Sequence, residues 1–343
     1  MSGFSRTVTV TTHVNSTLRI GTRGSPLALY QANSVAALLR DRTGMLCEIV
    51  VIKTSGDRLG EAPLSEVGGK RLFVKEIEDA LLAGDVDLAV HSSKDMPALL
   101  PDGLAIAGVL PREDPRDALV LPAGHDFEED LDRVRATLGA APRIGTSSVR
   151  RIAQLASFTS AGQFLPVRGN LDTRLRKLDS GDYDALVLAA AGLRRLERDK
   201  RISALLPVDL CVPAPGQGII AIEIRENDHR ASDMIKAIDD ANAATALKAE
   251  RAVVDRLGGG CQMPIGAFAH AINQDTLSIT SIVVSTDGGR SVRATVHGST
   301  AAPEQLGRQA ADELLAKGAE SILIDARHAL RPRAPSAAES HQS

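Results

Sequence analysis

Tryptophan is absent from this 343-residue chain, and all aromatic residues together make up 2% of it. The cores must therefore be built from Leu, Ile, Val and Ala. A stacking platform for single-stranded nucleic acid is also missing. Cysteine is scarce: Cys47, Cys211 and Cys261 form no CxxC and no zinc-type spacing. That excludes a disulfide framework, gives no metal site, and fits a reducing, cytoplasmic compartment. No apolar run is long enough to span a membrane. The first residues, 1–17, are polar and β-branched and lack the apolar centre of a signal peptide. They read as a disordered extension, and so does the tail 329–343. Excess charge is missing as well. The net charge of -3 supplies no overall basic field for nucleic acid.

What is present is ordinary in amount and uneven in placement. Hydrophobic residues are 43% and charged residues 24%, as in soluble globular proteins, and the length suits two or three domains. Between Arg143 and Arg201, however, twelve Lys and Arg face six Asp and Glu. Such a local surplus points to an anionic partner for that stretch.

Strand and helix signals alternate through the first two thirds. Leu18–Thr22 reads as a strand, and Ser25-Pro26 as an N-cap followed by proline at the first helical position. Further strands are expected at Leu46–Lys53 and Asp87–Val90, with a helix over Leu72–Leu82. Pro111–Arg116 is a proline-punctuated hinge. Beyond it come strands at Arg143–Gly145, Gln163–Val167 and Asp184–Ala189, with helices over Val149–Phe158 and Asp172–Leu178. A second breaker cluster, Pro213–Gly218, leads into a strand at Ile219–Ile224. From Ala241 the pattern becomes helix (Ala243–Leu257), three strands (near Ile265–His270, Thr276–Val284 and Arg293–His297) and a closing helix (Glu304–Ala316).

The fold class is therefore α/β: two hinged α/β domains with mostly parallel sheets, resembling type II periplasmic binding proteins, plus a small C-terminal α+β domain. The expected limits are 18–111 with 213–237 for the first domain, 112–212 for an inserted second and 238–328 for the third.

In parallel α/β sheets, ligands bind beyond the carboxyl ends of the strands. Charged residues fall at those places: Arg23, Lys94 with Asp95, Arg150-Arg151 after Thr146-Ser147-Ser148, Arg168 with Arg174, and Arg194-Arg195. A single arginine is usually a solvated surface group. A set of them at strand ends suits carboxylates or phosphates, through the planar guanidinium fork and nearby helix N-termini. Asp95 is the odd member, a carboxylate able to stabilise a cation or move protons. Leu257–Gly266 places Cys261 on a glycine turn, sterically open to attachment of a bulky group. The plainer readings are a buried thiol and a glycine C-cap. A P-loop, a GxGxxG turn, HExxH and a nucleophile elbow are all missing. An arginine-lined solute-binding module and a cysteine-nucleophile enzyme stay open at this point.

Ordered motifs from about Leu18 to Ala326 resemble one family, the hydroxymethylbilane synthases or porphobilinogen deaminases. They are Ile20–Ala28, Val67–Lys70, Phe73–Glu76, His91–Pro97, Arg112–Asp117, Gly145–Arg151, Arg168–Asn170, Pro215–Gly218 and Gly259–Gln262. The resemblance implies a transferase that joins four porphobilinogen molecules on a covalent dipyrromethane cofactor and releases the linear tetrapyrrole by hydrolysis. It implies that Cys261 carries the cofactor by a thioether and that Asp95 is the catalytic carboxylate. Cofactor contacts would come from Lys70, Lys94, Ser147, Arg150, Arg151, Arg168 and Arg174. Substrate contacts would come from Arg23, Ser25, Arg168, Arg174 and Arg195. The loop Thr54–Lys70 would form a mobile lid, and the molecule would be a monomer with no nucleic-acid or membrane partner. Two positions depart from the family pattern: Glu66, where many relatives carry lysine, and Gly258, where an acidic residue is common.

Overall fold

A computed structural model describes residues 17–58, 73–159, 161–259 and 263–330. Cys261, Lys70, Glu66, most of the loop 54–70 and nearly all of the two expected terminal extensions lie outside these residues.

Five strands form the first sheet: β1 (Leu18–Thr22), β2 (Cys47–Val51), β3 (Leu88–Ser92), β4 (Leu104–Val109) and β10 (Ile220–Arg225). Their order is β2-β1-β3-β10-β4. β1 runs parallel to β2 and β3, while β10 is antiparallel to β3 and β4. The second sheet contains β5 (Asp117–Val120), β6 (Arg143–Gly145), β7 (Gln163–Leu165), β8 (Ala185–Ala189) and β9 (Ala204–Leu205). Its order, β7-β6-β8-β5-β9, repeats the first, with β5 as the antiparallel strand. In each sheet the antiparallel strand is the one that receives the chain from the other sheet. The third unit is an antiparallel meander of β11 (Ile265–Ala271), β12 (Thr276–Val284) and β13 (Ser291–Ser299). Helices α9 (Ala241–Arg256), α10 (Pro303–Ala316) and α11 (Ala319–Ala329) accompany it.

The expected α/β class, with its small C-terminal α+β unit, is the observed one. Local rules explain the elements. Ser25 caps α1 (Pro26–Thr43) by accepting from the Ala28 amide at 3.3 Å, and Gly44 ends it in the left-handed conformation. Asn170 caps α6 (Leu171–Asp179), and Asp240 caps α9. The core beneath the first sheet is aliphatic, with Leu18, Ile20, Val35, Leu39, Leu88 and Ile222 buried together. Each such side chain contributes about 1.5–3 kcal/mol on burial.

Some elements were not expected. β5 has four residues directly after the proline-rich stretch read as a hinge, too short to show alternation. The chain does not close with the helix ending at Ala316. Gly318, at φ 95°, turns it into α11, whose Ile322, Leu323 and Ala326 join the third core.

The two passages between the sheets are bonded side by side. The Glu113 amide donates to the Gly218 carbonyl at 3.0 Å, and Arg112 Nε donates to the Gln217 carbonyl at 2.9 Å. Gly218 sits at φ 87°, and a Cβ there would meet the Glu113 carbonyl oxygen at 2.3 Å. Only glycine fits. Glu250 of α9, fully buried, fastens these passages to the third unit. It accepts from Arg112 Nη1 at 2.6 Å, the Gly216 amide at 2.6 Å and the Ala269 amide at 2.7 Å.

Asp117, at the start of β5, anchors a second buried cluster. Arg151 donates to it through Nε at 2.9 Å and Nη2 at 2.7 Å, and Arg150 Nη2 lies 2.8 Å away. Gln217 Nε2 donates at 3.0 Å, and the Cys211 thiol lies at 3.3 Å. Burial pushes the Asp117 carboxyl up, but the two guanidiniums outweigh it and hold the group well below its ordinary 3.8. The same burial, with Asp117 beside it, pushes the Cys211 thiol up to about 12.

Removing one partner of such a cluster leaves buried charge uncompensated, so Asp117→Asn is expected to cost about 3–5 kcal/mol at neutral pH. The folded carboxyl is depressed, so its contribution is present above 3.8 and is lost as pH falls below that value. Urea midpoints of wild type and variant should converge in that acid range; a constant gap would show that the Asp117 charge is not the cause.

Candidate active site

A cleft of about 1500 Å³ lies between the two sheets, at the carboxyl ends of their parallel strands. It exceeds the roughly 300–1,000 Å³ of ordinary small-molecule pockets, as a site for an extended ligand should. The first sheet supplies Arg23 and Ser25 after β1, and Lys94 and Asp95 from the 3-10 turn after β3. The second supplies Ser147, Arg150 and Arg151 after β6, Arg168 after β7, Arg174 on α6 and Arg195 at the end of α7 (Ala190–Arg195). Every expected site residue among the described residues lines this one cleft. Val254, Met263 and Ile265, on either side of Cys261 in sequence, line it too.

Their surroundings differ. Asp95 is half-buried, and its carboxylate has no hydrogen-bond or ion-pair partner among the described residues. Lys94 Nζ donates to Gln217 Oε1 at 3.3 Å, and through Gln217 it is linked to Asp117. Arg168 likewise has no such partner among the described residues, and burial lowers its affinity for its proton. Arg174 donates Nε to the Gly169 carbonyl at 2.8 Å. Burial, then the charges of Arg151 and Arg168, push its guanidinium down to about 10, while Asp95 acts in the opposite direction. Arg174 and Asp95 therefore lie within electrostatic reach of each other, although they hang from different sheets.

Several expected ligand contacts have other duties. Arg150 and Arg151 are buried and share Asp117. Arg150 also donates to the Val212 carbonyl at 2.7 Å, and Arg151 to that of Val187 at 2.9 Å. Two guanidiniums on one carboxylate still leave a positive charge facing the cleft. The Ser147 hydroxyl donates to the Val167 carbonyl at 2.9 Å and accepts from its amide at 3.1 Å, which fixes the loop that presents Arg168. Ser25 is the N-cap of α1. Arg195 donates to the Gly218 carbonyl at 2.6 Å, and burial depresses its guanidinium. Its neighbour Arg194 turns away, pairing with Glu113 and Asp114 at 3.2 and 3.1 Å. Arg23 is ion-paired with Asp57.

Sequence reasoning missed Asp117, Gln217 and Glu250 as determinants of the site. It also missed Gln31, a buried cleft residue that exchanges hydrogen bonds with Ser92 at 2.8 and 3.1 Å. Their partners lie 19 to 138 residues away in sequence, so no local spacing announces them.

Residues 18–233 match the family described as porphobilinogen deaminase, dipyromethane cofactor binding domain. Residues 244–316 match the porphobilinogen deaminase C-terminal domain. The porphobilinogen deaminase of Syntrophotalea carbinolica is 47% identical over 310 residues, covering 90% of this chain and 96% of the relative. That of Geobacter metallireducens is 47% identical over 309 residues, covering 90% and 94%. Among solved structures, the methionine binding protein MetQ is similar over 65% of this chain and 90% of its own, at 13% identity and a TM-score of 0.41. With both family domains matched in order and relatives of this identity along nine tenths of its length, the chain belongs to the porphobilinogen deaminase family.

Proposed function

We propose that this chain is a hydroxymethylbilane synthase, a transferase of tetrapyrrole and heme biosynthesis. It condenses four porphobilinogen molecules with loss of ammonia and releases the linear tetrapyrrole hydroxymethylbilane by hydrolysis. The observation that carries the reading is the setting of Asp95: a carboxylate with no hydrogen-bond or ion-pair partner among the described residues, in a cleft whose other wall is lined with guanidinium groups.

The residues fit a dipyrromethane group, which brings a carboxylate pair on each ring. Arg168 has no other partner among the described residues, Arg174 has spent one donor, and the Arg150–Arg151 pair retains surplus charge. With Lys94, Ser147 and Lys70, these residues would hold it, and Cys261 would anchor it by a thioether. When bound, the group supplies a pyrrole α-carbon as nucleophile. Arg23, Ser25, Arg168, Arg174 and Arg195 would hold the acetate and propionate of incoming porphobilinogen.

Loss of ammonia from the protonated aminomethyl group leaves a cation delocalised over the substrate pyrrole. A fixed carboxylate next to that charge lowers the barrier, because it needs no reorganisation as charge develops. Asp95 would take this role, and would then accept the proton that leaves an α-carbon once the new C–C bond has formed. Four such cycles release four molecules of ammonia, and one water ends the sequence.

We place the enzyme in the cytoplasm as a monomer; the free thiols of Cys47 and Cys211 suit a reducing compartment. Among the described residues no helix is long and apolar enough to cross a membrane. The domain limits given above are part of the proposal, supported by the passage of the chain between sheets at 110–116 and 206–219.

The test is turnover of porphobilinogen, followed as ammonia and as linear tetrapyrrole in a four-to-one ratio. Asp95→Asn is expected to keep the covalent cofactor and lose about 10²–10³-fold in kcat. Wild-type rates in that variant would remove Asp95 from the chemistry. Arg168→Leu is expected to leave the melting midpoint within a few degrees of wild type and to weaken cofactor loading and substrate binding by tenfold or more, seen by intact mass and KM. A fully loaded variant with unchanged KM would contradict its place in the site.

A further inference from the structure

Arg23 and Arg168 face the same cleft with different histories. Arg168 has no carboxylate among the described residues, whereas Arg23 already holds one. Its Nε donates to Asp57 Oδ1 at 3.2 Å, with Nη2 closer still, and its planar face lies over the Phe73 ring at 4.4 Å. Asp57 is itself fixed from behind: Thr54 Oγ1 donates to it at 2.8 Å and the Thr54 amide at 3.3 Å. Both Arg23 and Asp57 line the cleft, and their side chains are 27% and 28% exposed. The pair is wet enough to be screened and exchanged, unlike the buried Asp117 pairs. The Asp57 carboxylate therefore occupies the Nε–Nη2 edge of the guanidinium, one of the two edges that can take a carboxylate as a bidentate pair.

We infer that Asp57 is an internal competitor: it occupies Arg23 until a substrate carboxylate displaces it, and so sets affinity and selectivity for carboxylate-bearing pyrroles. This rests on the reading of Arg23 as a substrate anchor. The exchange swaps one carboxylate for another on the same guanidinium, so charge at Arg23 is conserved. A pyrrole lacking a carboxylate at that position would have to leave Arg23 with Asp57 and gains nothing there. Competition and support predict opposite signs. If Asp57 merely orients Arg23 for the ligand, removing its charge weakens binding. If it competes, removal strengthens binding.

The experiment uses the holoenzyme with the dicarboxylate pyrrole that lacks the aminomethyl group, titrated calorimetrically, together with KM for porphobilinogen. Asp57→Asn keeps an oxygen for Thr54 and loses the charge. It is expected to lower Kd and KM by about three- to fivefold, the scale of a partly exposed ion pair. The gain should vanish when Asp57→Asn is placed in an Arg23→Ala background. Asp57→Ser, also neutral, should shift binding in the same direction and serves if the Asn variant does not fold. Unchanged or weaker binding in a variant that melts like wild type would overturn competition. Unchanged Kd in Arg23→Ala alone would overturn the anchor reading instead, and competition with it.

Discussion

Two buried guanidiniums share one buried carboxylate at the start of the second sheet, and the cleft depends on that ratio. Arg150 and Arg151 could not be buried side by side without Asp117, because like charges in a low-dielectric setting repel strongly. A second carboxylate in the cluster would cancel the surplus charge of this pair. Asp117 thus makes the arginines tolerable and leaves the surplus that an anionic ligand can use. Its depressed proton affinity keeps that balance constant over the working pH range. Gln217 carries the cluster across to the first sheet through Lys94, so the charge balance and the relative placement of the two sheets are joined in one network.

Asp95 gains its meaning from that background. A carboxylate among solvated charges would be unremarkable. Here it hangs from the first sheet without a partner among the described residues and faces Arg174, whose guanidinium is crowded by Arg151 and Arg168. Positive charge that develops on a substrate between them meets an attractive group on one side. The substrate's own carboxylates meet attractive groups on the other. One cleft can therefore favour both the polyanionic ligand and the cation formed within it, because the two charges sit at different walls. Glu250 sets the third side. It ties both inter-sheet passages to α9, the helix that precedes Cys261 in sequence, so any change in the angle between the sheets must act against that clasp.

Much of this was legible in the sequence. Ser25-Pro26 announced its helix through local capping chemistry, which spacing reveals. Arg23, Lys94, Asp95, Arg168 and Arg174 could be grouped because parallel sheets deliver strand ends to one side. Short elements beside polar stretches stayed hidden, as with β5 directly after the proline-punctuated hinge. Long-range roles stayed hidden for a different reason. Nothing near Asp117 or Glu250 in sequence states that each is buried, since burial and pairing arise only when distant segments meet. The duties of Arg150, Ser147 and Arg195 shifted likewise: the pattern gave their place at the cleft but not the backbone carbonyls that take up their donors.

The central claim is that this cleft is built around a polyanionic chain anchored at Cys261. The most direct measurement is the intact mass of freshly purified protein beside that of Cys261→Ala, before and after incubation with porphobilinogen. The account predicts an excess equal to about two deaminated porphobilinogen units in the wild type, further increments of one unit after incubation, and a bare mass for the variant. A wild-type protein that stays at its sequence mass after incubation, with no tetrapyrrole formed, would contradict it.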